Sequence, residues 1–308
     1  MPTDKVISIL GLKKAGKTTF LAVLKLALAK QKSPWTIRPV DKTIKDMSDL
    51  TSKIFSQGEY PEQTDKDNKM FFVVEKDATN LGMTPGAYFR LHAADVPGEA
   101  VKGVAGTALH HDFYNQHVKG SSGIIFLLDS QQKWIEGGHS STFNTDPYFS
   151  LFSTIIDQIL AETENEKPYI VFCVTKVDQV EGQGPHSKFD KEGYFEGVED
   201  LAKIILGENT KDIIDHAFDD DHIAWLPVSA TGFTGEGKNR VCQSIETTSG
   251  EGVNKIRNPR DLKPIGVAES LEWILDRLAK DDDYVRTKRT RGEKYADVVK
   301  GFQKLLGL

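Results

Sequence analysis

The chain is poor in cysteine, has no long apolar run and carries no excess of positive charge. Cys173 and Cys242 are the only two cysteines in 308 residues. A disulfide-stapled scaffold is thereby excluded, and two unclustered thiols fit a reducing compartment. Cys173 lies inside the apolar run Tyr169–Val174, where a buried free thiol is the simplest reading. No stretch approaches the ~18 consecutive apolar residues of a membrane span. The opening MPTDKVISIL is too short in apolar residues for a secretory signal, so a cytoplasmic location is expected. The net charge of −6, from 39 basic and 45 acidic side chains, argues against general nucleic-acid binding. There is no internal repeat and no low-complexity tract.

What is present is an alternation. Strand-like runs occur at Lys5–Leu10, Met70–Glu75, Tyr88–Ala94, Gly123–Leu128, Tyr169–Val174 and Ile223–Val228. Several are almost continuous in Val, Ile, Leu and Phe, as in parallel strands buried on both faces. Helical patterns lie between or after them at Lys17–Lys30, Tyr148–Glu164, Lys191–Leu206 and Ala268–Lys280. The pattern predicts an α/β fold with a mixed, mostly parallel six-stranded sheet and helices on both faces. The polar stretches Lys32–Asn68, Ser130–Asp146, Asp178–Lys191 and Gly232–Pro264 are read as insertions on one domain, residues 1–280. Residues 281–308 form a basic, then amphipathic tail, with Val298, Phe302, Leu305 and Leu306 on one helical face. It either packs on the domain or docks a partner or a membrane surface.

Ligand sites in open α/β sheets gather at the carboxyl ends of strands. After the first strand comes GLKKAGKTT, which matches G-x-x-x-x-G-K-[ST] between a strand and a helix. Its glycines let the backbone curl so that N–H groups point inward, and the helix aims its positive end at the same place. The phosphate-binding candidates are Gly11, Lys14, Ala15, Gly16, Lys17, Thr18 and Thr19. Lys17 is expected to reach the β- and γ-phosphates, and the Thr18 hydroxyl to bind Mg²⁺. The third strand ends in DVPGE: Asp95 is placed to hold a water on Mg²⁺, and Gly98 to approach a γ-phosphate. A Pro-Gly turn with a capping Asp would look the same. The fifth strand ends in TKVD: Asp178 is placed to accept two hydrogen bonds from guanine, Lys176 to cover the base, and Thr175 to tie this loop to the phosphate loop. After the sixth strand, Ser229 would brace PVSATG, and the Ala230 N–H could reach the guanine oxygen.

With these four segments in order, residues 5–232 and the closing helix resemble a P-loop GTPase of the Ras-like, translation-factor-related class. GEYPEQT before the second strand, paired with DVPGE after the third, is similar to the double-GTPase families of bacterial gene neighbourhoods and to dynein light intermediate chains. Those families tend to carry G-x-[WY]-P-x-x-T in the first switch. On that resemblance Thr64 is the switch threonine, on Mg²⁺ and the γ-phosphate, with Thr43 and Thr51 as competitors.

The chain departs from the family pattern at several positions. Thr175 stands where asparagine is commoner. Lys13 and Lys14 replace small residues; they either reach solvent or add charge at the phosphates of this subunit or a partner's. Glu99 occupies the place of the water-orienting glutamine, either as an impaired catalytic group or as a helix start.

The resemblance implies GTP hydrolysis to GDP and phosphate with Mg²⁺, slow without a partner, with Lys17, Thr64, Gly98 and Glu99 as the catalytic set. It implies a switch acting on a protein effector or a second GTPase, with a nucleotide-dependent dimer as one form. A GTP-binding scaffold with little hydrolysis and a P-loop ATPase are the alternatives.

Overall fold

The computed structural model describes residues 5–11, 15–61, 68–76, 88–95, 112–131, 147–162, 167–179, 197–234, 241–245 and 255–280. Successive side chains of a strand point to opposite faces, and the central strands divide their apolar runs accordingly. In β1 (Val6–Gly11), Ile7 and Ile9 enter one core and Leu10 the other. In β5 (Ser121–Asp129), Ile125 and Leu127 join the first core, and Ile124, Phe126 and Leu128 the second. β6 (Tyr169–Thr175) divides in the same way, Val171 and Cys173 against Ile170, Phe172 and Val174. Helix α1 (Lys17–Lys30) and the last helix, residues 267–280, cover the first face. Helices α3 (Pro147–Glu162), α4 (Val198–Leu206) and α5 (Glu208–Ala217) cover the second.

The sheet has seven strands in the order β2-β3-β4-β1-β5-β6-β7, with β2 (Trp35–Pro39), β3 (Asn68–Lys76), β4 (Tyr88–Asp95) and β7 (Ile223–Pro227) completing it. β3 is antiparallel to both its neighbours, and every other pairing that joins β4 to β7 through β1 is parallel. The mixed, mostly parallel α/β architecture is as expected, with one strand more than the sequence suggested.

The additional strand, β2 (Trp35–Pro39), lies in the polar stretch Lys32–Asn68. Trp35 and Ile37 are buried while Thr36 and Arg38 are exposed, a period of two too short to stand out beside a proline and charged neighbours. The same stretch forms α2 (Lys42–Ser52), which continues into a π-helical turn, Lys53–Gln57. Residues 35–57 of it therefore supply the edge strand of the sheet and a helix beside it. The helix expected from Lys191 begins, in its described part, at Val198, because Gly197 stands in the left-handed region at its N-cap. Helix α5 was not anticipated: its sequence is polar, and only Thr210, Lys211 and Ile214 are buried.

The stretch Gly232–Pro264 also contains structure. β8 (Phe233–Thr234) pairs with β9 (Val241–Cys242), and β10 (Ser244–Ile245) with β11 (Lys255–Ile256). Among the described residues no helix is long and apolar enough to cross a membrane. The tail, residues 281–308, lies outside the described residues.

Candidate functional site

Five neighbouring parallel strands end on one edge of the sheet, and the sequence candidates follow those ends. At the end of β1, Gly11 has φ 156°, and a Cβ there would stand 2.7 Å from the Leu127 carbonyl oxygen of β5. Only glycine lets the two strands stay this close. Gly16, the N-cap of α1, has φ 89° and open space around it, so its need for glycine is conformational. Gly16 as N-cap has no side chain to cap α1, among the described residues none takes its place, and the first turn holds no acidic residue. The N–H groups of that turn therefore present an uncapped positive end. Lys17 is buried, with 5% of its surface exposed, and its Nζ donates to the Gly11 carbonyl at 2.8 Å. The ammonium thus spans the loop from its last residue to its first. Thr18 and Thr19 are half-buried beside it, and Ala15 is buried.

The loop after β6 leans on this cradle. The Thr175 hydroxyl donates within reach of two carbonyls, Ala15 at 2.9 Å and Leu128 at 3.0 Å. Lys176 has φ 57°, the left-handed region that a lysine seldom occupies. Its Nζ pairs with Asp129 Oδ2 at 2.7 Å. Asp178 follows in a short 3₁₀ turn, Val177–Gln179, with only 2% of its surface exposed. Burial pushes its carboxyl above the usual range. Hydrogen bonds from Ser229 and Cys242, and the charge on Lys176, act the other way.

After β7, Ser229 is fully buried. Its backbone exchanges two hydrogen bonds with Ile265, and its Oγ accepts the Gly232 N–H at 2.8 Å. Ala230 is partly buried against the first core. Thr231 shares a 3.1 Å hydrogen bond with the Tyr60 hydroxyl, which joins this loop to GEYP.

The structure therefore brings Gly11, Ala15, Gly16, Lys17, Thr18, Thr175, Lys176, Asp178, Ser229 and Ala230 to one edge of one sheet. The Asp95 backbone ends β4, the neighbour of β1. Lys13, Lys14, Thr64, Gly98 and Glu99 lie outside the described residues. Thr43 and Thr51 are engaged elsewhere. Thr43 is buried and accepts the Phe71 N–H at 3.0 Å, and Thr51 donates to the Met47 carbonyl within its own helix.

A sequence model of the Double-GTPase 2 family matches residues 5–205, well over half of the 308 residues. The chain belongs to the Double-GTPase 2 family. No curated protein matches it. Among solved structures it is similar to the Arl6/BBS3 small GTPase of Trypanosoma brucei with bound GppNp, at 12% identity and a TM-score of 0.40, over 90% of this chain and 99% of that one. It is also similar to the GTP-bound Ski7 GTPase-like domain of S. cerevisiae, at 12% identity and 0.35, over 83% and 48%. A third is the signal recognition particle receptor SRb-GTP/SRX complex of Chaetomium thermophilum, at 13% and 0.34, over 77% and 94%. At identities and scores this low, family membership rests on the sequence match.

For this Double-GTPase 2 chain, the uncapped start of α1 with Lys17 beside it fits a phosphate group. An oxygen donor set of the Thr18 hydroxyl and a carboxylate at the Asp95 position suits Mg²⁺. Three contributors escaped the sequence reading. Asp129 ends β5 in the same way that Asp95 ends β4, a signal available in IIFLLDS. Tyr60 and its partner Thr231 both stand within quoted segments, GEYPEQT and PVSATG, but nothing local to either joins the two. Cys242 lies 64 residues from Asp178 inside an insertion, and nothing local marks it.

Proposed function

We propose that the chain binds GTP and hydrolyses it with water to GDP and phosphate, as a nucleotide-dependent switch on a protein partner. Family membership and the fold support GTP binding. The observation that carries the reading is the bond from Thr175 to Ala15, which makes the phosphate loop and the loop bearing Asp178 one unit. In this reading the α1 N-terminus and Lys17 hold the phosphates, and Asp178 accepts the two N–H groups of the guanine edge. Mg²⁺, held through the Thr18 hydroxyl and Asp95, would neutralise charge on the phosphates. Lys17 keeps the loop closed around them. Ser229 holds the backbone of Ala230 toward the base.

Glu99 in place of a neutral water-orienting group, together with the extra Lys13 and Lys14, favours slow hydrolysis that a second GTPase or a second copy accelerates. A cation supplied by a partner is worth about 10³–10⁵ in rate. Calorimetry with GTP, GDP and ATP tests the base assignment. Two charge-assisted hydrogen bonds predict a GTP preference of roughly 10²–10⁴-fold over ATP, and equal affinities would refute it. Single-turnover hydrolysis across a range of protein concentrations separates the switch from a scaffold that binds GTP without cleaving it. Fast turnover independent of concentration would remove the partner from the reading.

A further inference from the structure

The inserted segment after the base loop is anchored with more bonds than a surface loop requires. Gln243 is fully buried. Its N–H donates to the Gly232 carbonyl and its carbonyl accepts the Arg257 N–H. Its side-chain amide donates to the Asp261 carbonyl at 3.2 Å and accepts the Asn258 N–H at 3.0 Å. The adjacent Cys242 carbonyl accepts Arg257 Nε at 3.1 Å. Strand β9 is thus pinned against the base loop on its own backbone, and Cys242 is where it meets the site. Its Sγ donates to Asp178 Oδ2 at 3.1 Å.

We infer that Cys242 is a positioning residue for guanine recognition: it holds the Asp178 carboxylate in the rotation that presents both oxygens to the base. The inference rests on the guanine reading given above. An ionised carboxylate has about four acceptor positions. Ser229, Cys242 and the residue's own backbone N–H stabilise it from the protein side, and in the guanine reading its outward positions meet the N1–H and 2-amino groups. Cys242 is the donor on Oδ2, and its loss removes one of the restraints on the turn of the carboxylate about its last torsion. A ligand that uses both oxygens feels this more than a ligand that uses one. Inosine triphosphate, which lacks the 2-amino group, is therefore the discriminating probe.

The full chain is titrated with GTP, ITP and ATP, alongside C242A and C242S. C242A should lose about tenfold in GTP affinity, the size of one charge-assisted hydrogen bond, while ITP changes much less. C242S retains a donor and should restore the wild-type GTP:ITP ratio. A wild-type protein that prefers GTP to ATP, with the same GTP:ITP ratio in C242A, overturns this inference alone. A wild-type protein that binds ATP as well as GTP overturns the guanine reading, and this inference with it.

Alkylation of the unmutated protein gives a second readout that does not depend on a variant folding. Cys173 is buried, and burial pushes its thiol up to about 12, so a mild thiol reagent reports on the half-buried Cys242. Saturating GDP should slow that reaction, and ADP should not. A rate unchanged by GDP overturns the placement of Cys242 beside the base.

Discussion

The Thr175 hydroxyl reaches across 160 residues of chain to the Ala15 carbonyl, 2.9 Å away, and both groups are buried. The same hydroxyl lies 3.0 Å from the Leu128 carbonyl, so one proton serves two acceptors. Replacing Thr175 by Val keeps the shape and removes the hydroxyl bond to both carbonyls, that of Ala15 being the tie to the phosphate loop. The expected cost is about 0.5–1.5 kcal/mol of folding stability, the net contribution of a buried hydrogen bond. Nucleotide affinity should fall with it, because the two loops lose their tie. An Asn side chain carries two donors, so Thr175→Asn should stay near wild type. Chemical denaturation and calorimetry on the pair test this; a Val variant as stable and as tight as the Asn variant would contradict it.

Lys17 and Thr18 should separate in their effects. Lys17 combines a buried charge with a bond to Gly11. Lys17→Ala should weaken GTP and GDP binding by roughly ten- to a hundredfold, one charge-assisted contact. Thr18→Ala should leave binding without Mg²⁺ largely intact and reduce the gain that Mg²⁺ confers. Titrations with and without Mg²⁺ distinguish the two; an equal Mg²⁺ gain in Thr18→Ala and wild type would remove Thr18 from the metal.

The sheet was legible because its central strands are apolar on both faces, and the phosphate loop because its glycines and lysine sit in a fixed spacing between strand and helix. Strand β2 was not. Its five residues include one proline, and it is held by pairing with β3 and by Trp35 and Ile37 in the core. That information resides in the partner strand and not in the segment. The aliphatic stem of Lys176 was expected over the base; that its ammonium pairs with Asp129 is a contact between two strand ends that neither segment alone reveals. Cys242 illustrates the same limit: an insertion's role beside Asp178 exists only once the chain has folded.

The two glycines of the phosphate loop should fail differently. Gly11→Ala places a Cβ 2.7 Å from a backbone oxygen of β5, which cannot swing away. Overpacking of this kind costs about 1–3 kcal/mol and should appear as lost stability even without nucleotide. Gly16→Ala meets no atom within 4 Å, so its cost is the left-handed backbone alone, about 1–2 kcal/mol. Its folded state can relax by altering the start of α1, at the expense of the cradle. Thermal unfolding of apo protein should show the larger loss for Gly11→Ala. Affinity measured per folded molecule should show the larger loss for Gly16→Ala.

Asp178 sets the pH response. Burial raises its folded pKa above the unfolded value, and the donors from Ser229 and Cys242 only partly offset this. Between the two values the folded chain holds a proton that the unfolded chain has lost. This group's contribution to stability is therefore greatest below the unfolded pKa. It declines as pH rises through the window up to the folded pKa, leaving ionised Asp178 a net cost to the apo fold at neutral pH. Guanine binding runs the other way. Only the ionised carboxylate accepts two N–H donors, so the GTP:ITP ratio should be full above the folded pKa and fall as pH drops through it. Asp178→Asn should abolish that pH dependence and shift preference toward xanthine nucleotides, whose edge exchanges a donor for an acceptor. The test is the GTP:ITP affinity ratio as pH is lowered from neutral through the titration of Asp178, in wild type and Asp178→Asn. A ratio in the unmutated protein that is flat over this range would mean that Asp178 does not hold the base through its charge.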